Sequence, residues 1–298
     1  MSTADLSGMV IAIFGPTASG KTAVAEVIVG AVPSEIVSAD SMQVYRGLPI
    51  LTNQPGRPTA LVGIWPLDHE GSVAEYQRLA HEAVDGALSR GRTPIVVGGT
   101  GLYLRAALAD LELPPAPPPG ARERWERLYD RLGPGQAHAA LAERDPQAAQ
   151  AVHPNDRRRV VRALELHDAG GSLAPPRDRL WSDENRHQTL IFGLEATKAV
   201  LEERIQERTE AMFVTGVEEE VARALRSPVS RTASQIIGLR EVAELPRDEA
   251  IAAIALRTRR YAAYQRKWMR RIPSIQAVSA DRPSLETAGE ILSRAQRA

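Results

Sequence analysis

Gly15-Pro16-Thr17-Ala18-Ser19-Gly20-Lys21-Thr22 carries the strongest chemical signal in this sequence. The apolar run Met9–Phe14 precedes it and the helix-forming stretch Ala23–Ile28 follows, so the order is strand, glycine-rich loop, helix. In such a loop, successive main-chain N–H groups and the unpaired N–H groups of the helix start converge on one point and attract an anion. Gly15, Thr17, Ala18, Ser19, Gly20, Lys21 and Thr22 are therefore expected to cradle a diphosphate or triphosphate. The Lys21 ammonium belongs on the terminal phosphate and the Thr22 hydroxyl on Mg2+. The loop names a phosphate ligand but no reaction.

A second candidate group follows the next apolar run. Glu35-Ile36-Val37-Ser38 reads as a buried strand that delivers Asp40-Ser41-Met42-Gln43-Val44-Tyr45-Arg46-Gly47 at its carboxyl end. Open parallel sheets place their ligand crevice there. Asp40, one strand along from the phosphate loop, is expected to face it; read as an isolated Asp-Ser pair, it would instead cap the turn that follows. Thr93–Val97 gives a third strand running into Gly98-Gly99-Thr100-Gly101-Leu102-Tyr103. The Thr100 hydroxyl could reach the same anion, although a tight strand-to-helix connection explains that turn equally well.

The elements that must position these groups suit one large α/β domain with an insertion. With 298 residues, 43% hydrophobic and 25% charged, the chain can bury a sizeable core. Lys+Arg and Asp+Glu each number 37, so no global field advertises a nucleic-acid partner. The distribution is less even. No acid lies between Ala250 and Ala280, which holds Arg257, Arg259, Arg260, Arg266, Lys267, Arg270 and Arg271, and a second cluster is Arg157-Arg158-Arg159 with Arg162. Such runs suit phosphate contacts as well as solvated helix faces. The chain has no cysteine, which excludes disulfides, thiolate metal sites and a Cys nucleophile and suits a reducing, cytoplasmic setting. No signal peptide is read at the polar start, and no apolar span reaches 18 residues, so no membrane helix is expected.

Residues 51–68 read as a loop or lid, and Ser72-Val73-Ala74-Glu75 opens a helix to about Ser89. Leu113–Gly120 is a proline-rich linker, after which 121–132, 134–143 and 155–169 read as helices without a strand. Thr189–Leu194 then returns to the sheet, and helices follow at about 197–214, 216–226, 248–271 and 284–296. The expected fold is α/β: a P-loop NTPase-like parallel sheet flanked by helices, with an inserted all-helical domain. The core covers 1–115 and 188–298, and the helical insertion 116–187.

In combination these motifs resemble the bacterial tRNA dimethylallyltransferase (tRNA isopentenyltransferase) family along nearly the whole chain. The matching pieces are Gly15–Thr22, Ser38–Gly47, Gly98–Tyr103, Asn155-Asp156 with Arg159 and Arg162–Glu165, and Thr258–Ala262 with Gln265 and Trp268. The resemblance implies transfer of a dimethylallyl group from dimethylallyl diphosphate to N6 of adenosine 37 in tRNA, with release of diphosphate. It implies Asp40 as general base, Lys21 and Thr100 as further catalytic groups, and Arg208 beside the loop on the diphosphate. It makes Asp40, Ser41, Met42, Gln43 and Thr100 the groups at the target base. Arg122, Arg158, Arg159 and Arg162 become contacts to the tRNA anticodon stem-loop, and the protein a monomer. The family's Gly-Thr-Ala-Lys-Pro stands here as Leu51-Thr52-Asn53-Gln54-Pro55, its paired histidines are absent before Leu67-Asp68, and Gly238-Leu239 replaces Gly-Tyr. The competing readings are a P-loop small-molecule or nucleoside kinase using ATP, a prenyltransferase acting on free adenine nucleotides, and an RNA-binding protein with a degenerate site. Against the kinase, Ile95-Val96-Val97 ends in Gly98-Gly99, with no acid to hold Mg2+.

Overall fold

The computed structural model describes residues 6, 8–113, 120–174 and 179–298. Five parallel strands form one sheet in the order β2-β3-β1-β4-β5. They are β1 Val10–Phe14, β2 Ser34–Ser38, β3 Thr93–Gly98, β4 Thr189–Glu195 and β5 Gln276–Ser279. Ile11 and Ile13 of β1 sit opposite Ile95 and Val97 of β3 and opposite Leu190 and Phe192 of β4. All of β1 is buried, as a central parallel strand covered on both faces requires. β5 is absent from the strands expected from sequence, because Gln276-Ala277-Val278-Ser279 is a four-residue edge strand with one buried position.

The helices are α1 Lys21–Ala31, α2 Val73–Ser89, α3 Gly101–Leu108, α4 Ala121–Arg144, α5 Pro146–Ala151, α6 Arg157–Asp168, α7 Lys198–Thr215, α8 Val217–Ala224, α9 Leu239–Glu244, α10 Arg247–Met269 and α11 Ser284–Ala295. Val24, Ala25 and Ile28 of α1 and Ala288 and Ile291 of α11 pack with Ile11, Ile13, Ile95 and Phe192 in the main core. Ser72 caps α2 by accepting from Glu75 N, as the sequence signature anticipates. Tyr76 of α2 donates to Ser38 O at 2.9 Å and ties that helix to the end of β2. No helix among the described residues is long and apolar enough to cross a membrane.

The chain divides into two compact units, residues 1–110 with 180–298, and residues 111–179. The helical unit therefore ends earlier than the sequence-read 187. Residues 180–185 belong to the sheet unit because the buried Arg105 guanidinium of α3 donates to Leu180 O, Ser182 O, Glu184 O and Asn185 Oδ1. Most of the proline-rich linker, 114–119, lies outside the described residues. The second unit has its own core of Trp125, Tyr129, Leu141, Val160 and Leu164. Its α4 breaks at Gly133 (φ 78°), before Pro134, where sequence reading separates two helices.

Candidate active site

The loop after β1 is built by backbone geometry that few residues adopt. Ala18 and Gly20 have positive φ (64° and 83°), and Ser19 N donates to Pro16 O. Lys21 Nζ donates to Pro16 O at 2.7 Å. Burial lowers the Lys21 ammonium from its ordinary 10.5 to about 8; nearby Asp40 opposes that shift and Arg208 adds to it. Arg208, which lines the cavity, has its Nε buried without a hydrogen-bond partner; Ser19 Oγ is also unpaired but lies under the loop against Gly15. Burial also lowers the pKa of Arg208, while Asp40 supports its charge. An unpaired buried guanidinium N–H beside a desolvated ammonium forms a site that an anion completes.

Asp40 lies just beyond β2. Its Oδ1 accepts from Met42 N at 2.9 Å and Gln43 N at 3.4 Å, so it does cap the turn, and the carboxylate also lines the cavity with Lys21 and Arg208. The cavity holds about 570 Å³. Part of its lining is the phosphate loop, represented by Thr17, Ala18, Gly20, Lys21 and Thr22. Leu51, Met212, Ile237 and Ile254 add an apolar part to the lining. Close approach of β3 to β2 makes this crevice possible: a Cβ on Gly98 would lie 2.0 Å from Ala39 O.

The remaining sequence-read residues fall into three groups. Met42 and Gln43 line the cavity, but the Gln43 amide is engaged: Oε1 accepts from Ser38 Oγ, and Nε2 donates to Asn53 O and Thr52 O. Thr100 and Ser41 do not line it. The Thr100 hydroxyl, at the start of α3, accepts from Ser41 N and lies 3.2 Å from Ser41 Oγ and 3.1 Å from Tyr261 OH. Gly15 is packed under the loop, where a Cβ would meet Ser19 Oγ and Leu194 O.

In the helical unit, Arg122 and Arg162 both engage the fully buried Glu165 carboxylate, so two guanidinium groups share one negative charge. Arg158 and Arg159 stand exposed on α6. Arg157 is the cluster's internal partner, paired with Asp130.

Sequence reading left Gln265 and Tyr261 of α10 and Arg204 of α7 out of the candidate site. Gln265 Oε1 accepts from Thr17 N at 2.7 Å, and its Nε2 donates to Gly99 O at 2.9 Å, joining the two glycine-rich loops through one amide. The available signal was periodic: Ile254, Thr258, Tyr261 and Gln265 recur at helical spacing and all line the cavity.

The donor chemistry fits Mg2+ in a restricted way. Thr22 and Asp40 offer oxygens to the cavity, yet no cluster of three or more His, Cys, Asp or Glu exists among the described residues. Such a set suits an ion that takes most of its ligands from phosphate and water.

The family profile for IPP transferase matches residues 43–272. A tRNA dimethylallyltransferase from Streptomyces coelicolor is 40% identical over 303 residues, spanning 96% of each chain. The crystal structure of a tRNA isopentenylpyrophosphate transferase from Bacillus halodurans has a TM-score of 0.68 at 30% identity, covering 98% of this chain and 99% of that one. The tRNA delta(2)-isopentenylpyrophosphate transferase of Staphylococcus epidermidis gives 0.69 at 28% identity, with the same coverage. With the phosphate loop, the facing carboxylate and the chain-long match in agreement, the chain belongs to the IPP transferase family.

Proposed function

We propose that the protein transfers the dimethylallyl group of dimethylallyl diphosphate to N6 of adenosine 37 in tRNA. The observation that carries this reading is one cavity in which the phosphate loop, Lys21 and the unpaired Arg208 Nε share the lining with the Asp40 carboxylate. In the reaction the N6 lone pair attacks C1, the C1–oxygen bond breaks, and diphosphate leaves with the bonding pair. The N6 proton passes to Asp40, because an exocyclic amine is a poor nucleophile while its lone pair is shared with the ring. Amine and C1 must approach to about 3.5 Å, in line with the leaving oxygen.

The main-chain N–H groups of residues 20–22, the Lys21 ammonium and the Arg208 guanidinium stabilise charge as it develops on the leaving group. Mg2+, when bound, would be held by Thr22 with the diphosphate oxygens and would supply further charge neutralisation there. Thr100 acts by fixing Ser41 and Tyr261 through its hydroxyl. A stacked base cannot enter a cavity of this kind, so adenosine 37 is flipped out at a cost of about a few kcal/mol and meets Asp40, Met42 and Gln43, which line it. Arg158 and Arg159 take anticodon-stem phosphates. Arg122 and Arg162, which both engage Glu165, support the same contact. The protein works as a cytoplasmic monomer in this reading.

The test is incubation of the protein with radiolabelled dimethylallyl diphosphate, Mg2+ and an anticodon stem-loop bearing adenosine at position 37. Label appears in that RNA and not in one bearing guanosine there. Label on free AMP instead, or phosphate transferred from ATP, would refute the proposal.

A further inference from the structure

We propose that Glu220 is a positioning residue for the five-carbon end of the donor, acting through the main chain of Ile50 and Leu51. The inference rests on the prenyl-transfer reading above. Glu220 lies in α8 and is 2% exposed. Its Oε1 accepts from Ile50 N at 2.7 Å and its Oε2 from Leu51 N at 2.8 Å, across 170 and 169 residues of sequence. No cation pairs with it at salt-bridge distance among the described residues. A buried carboxylate without a cation is unfavourable unless its oxygens are satisfied. Two neighbouring N–H donors demand two acceptor oxygens, and a carboxylate supplies both.

What Glu220 holds is the wall of the cavity. Leu51, Thr52 and Asn53 all line it. The other side of the loop is secured by Gln43 Nε2 on Asn53 O, and by Thr52 Oγ1 on Leu48 O. Leu51 packs so closely over Gly238 that a Cβ there would lie 2.6 Å from Leu51 Cδ1. With Met212, Ile237 and Ile254 it makes up an apolar part of the lining, distinct in chemistry from the polar phosphate loop. An allylic diphosphate held by its phosphates has only an apolar chain left to place, and this is the surface that matches it.

The proposal is tested on the full-length protein by calorimetric binding of dimethylallyl diphosphate and, separately, of inorganic diphosphate. Glu220→Gln turns an amide donor toward one of the two N–H groups. It should weaken dimethylallyl diphosphate binding about tenfold and leave inorganic diphosphate binding unchanged. In turnover, KM for the donor rises while kcat and KM for the RNA stay constant. Leu51→Ala should give the same split without disturbing the carboxylate, which keeps the test open if Glu220→Gln fails to fold. Thr287→Val loses a buried hydroxyl bond to Ser279 O, far along the chain from the cavity residues, and serves as the stability control. Equal weakening of both ligands in Glu220→Gln, unchanged donor binding, or the same split in Thr287→Val overturns the proposal. Wild-type protein that binds dimethylallyl diphosphate no better than inorganic diphosphate removes the donor reading, and this inference with it.

Discussion

Raising the pH through 8 should weaken donor binding by titrating Lys21. Burial sets the Lys21 ammonium at about 8 in the free protein. It is therefore about nine-tenths charged at pH 7, half at pH 8 and one-tenth at pH 9. A diphosphate alongside returns the group toward its ordinary 10.5, so binding above pH 8 must first restore a proton. The dissociation constant should rise about twofold at pH 8 and about tenfold at pH 9 relative to pH 7. The donor's own last phosphate proton leaves near about pH 6 and is silent in this window. Calorimetry in two buffers of different ionisation enthalpy should register uptake of about half a proton per donor at pH 8, and Lys21→Arg should abolish the dependence.

Stability should move the opposite way. Between pH 8 and 10.5 the unfolded chain binds the lysine proton and the folded chain does not, so wild-type stability rises with pH relative to Lys21→Met. Donor affinity that stays flat from pH 7 to 9, or wild-type stability that falls across the window relative to that variant, refutes the reasoning.

Other perturbations address the parts that hold the site. Gly98→Ala places a Cβ 2.0 Å from Ala39 O and 2.4 Å from its carbonyl carbon, so the β2 end must shift; denaturant unfolding should show a loss above about 4 kcal/mol. Gln265→Ala strips Thr17 N of its acceptor and Gly99 O of its donor. It should cost about 2 kcal/mol of stability in the same assay and raise the donor KM, because the phosphate loop loses its tie to α10. Replacing Arg158 and Arg159 together with alanine should weaken stem-loop binding at every sequence and reduce the salt slope by about 1 per side chain. Diphosphate binding, measured alongside, should not change.

The parts of this protein that sequence discloses are those in which a few consecutive residues decide the outcome. The phosphate loop is a local matter of glycine, lysine and threonine between a strand and a helix. The Asp40 turn and the Ser72 cap are equally local. What sequence does not disclose lies in single side chains that reach across long separations. Gln265 meets Thr17 over 248 residues, and Glu220 meets Leu51 over 169. Helical spacing can put Gln265 on the face of Ile254, Thr258 and Tyr261, but neither its partner nor that of Glu220 is marked in the residues nearby.

The stretch 51–68, read as a loop or lid, is instead tied to its surroundings. Ser38 N donates to Ala60 O and Ala60 N to Ile36 O, while the Gln54 amide donates to Gln43 O and Tyr45 O. Proline and glycine content marks it as irregular; it does not tell an anchored irregular segment from a free one. Arg122 and Arg162 read as phosphate contacts by position, and the buried Glu165 that they share becomes visible only when α4 and α6 pack.

If the Asp40 carboxylate takes the proton as N6 attacks, Asp40→Asn should remove the base and little else. Asparagine keeps an oxygen for the Met42 and Gln43 N–H groups, so the turn survives while the base is lost. Single-turnover transfer of labelled dimethylallyl to the stem-loop should slow by at least about a hundredfold, with donor and RNA affinities unchanged. A variant that transfers label within about threefold of wild type would contradict the account.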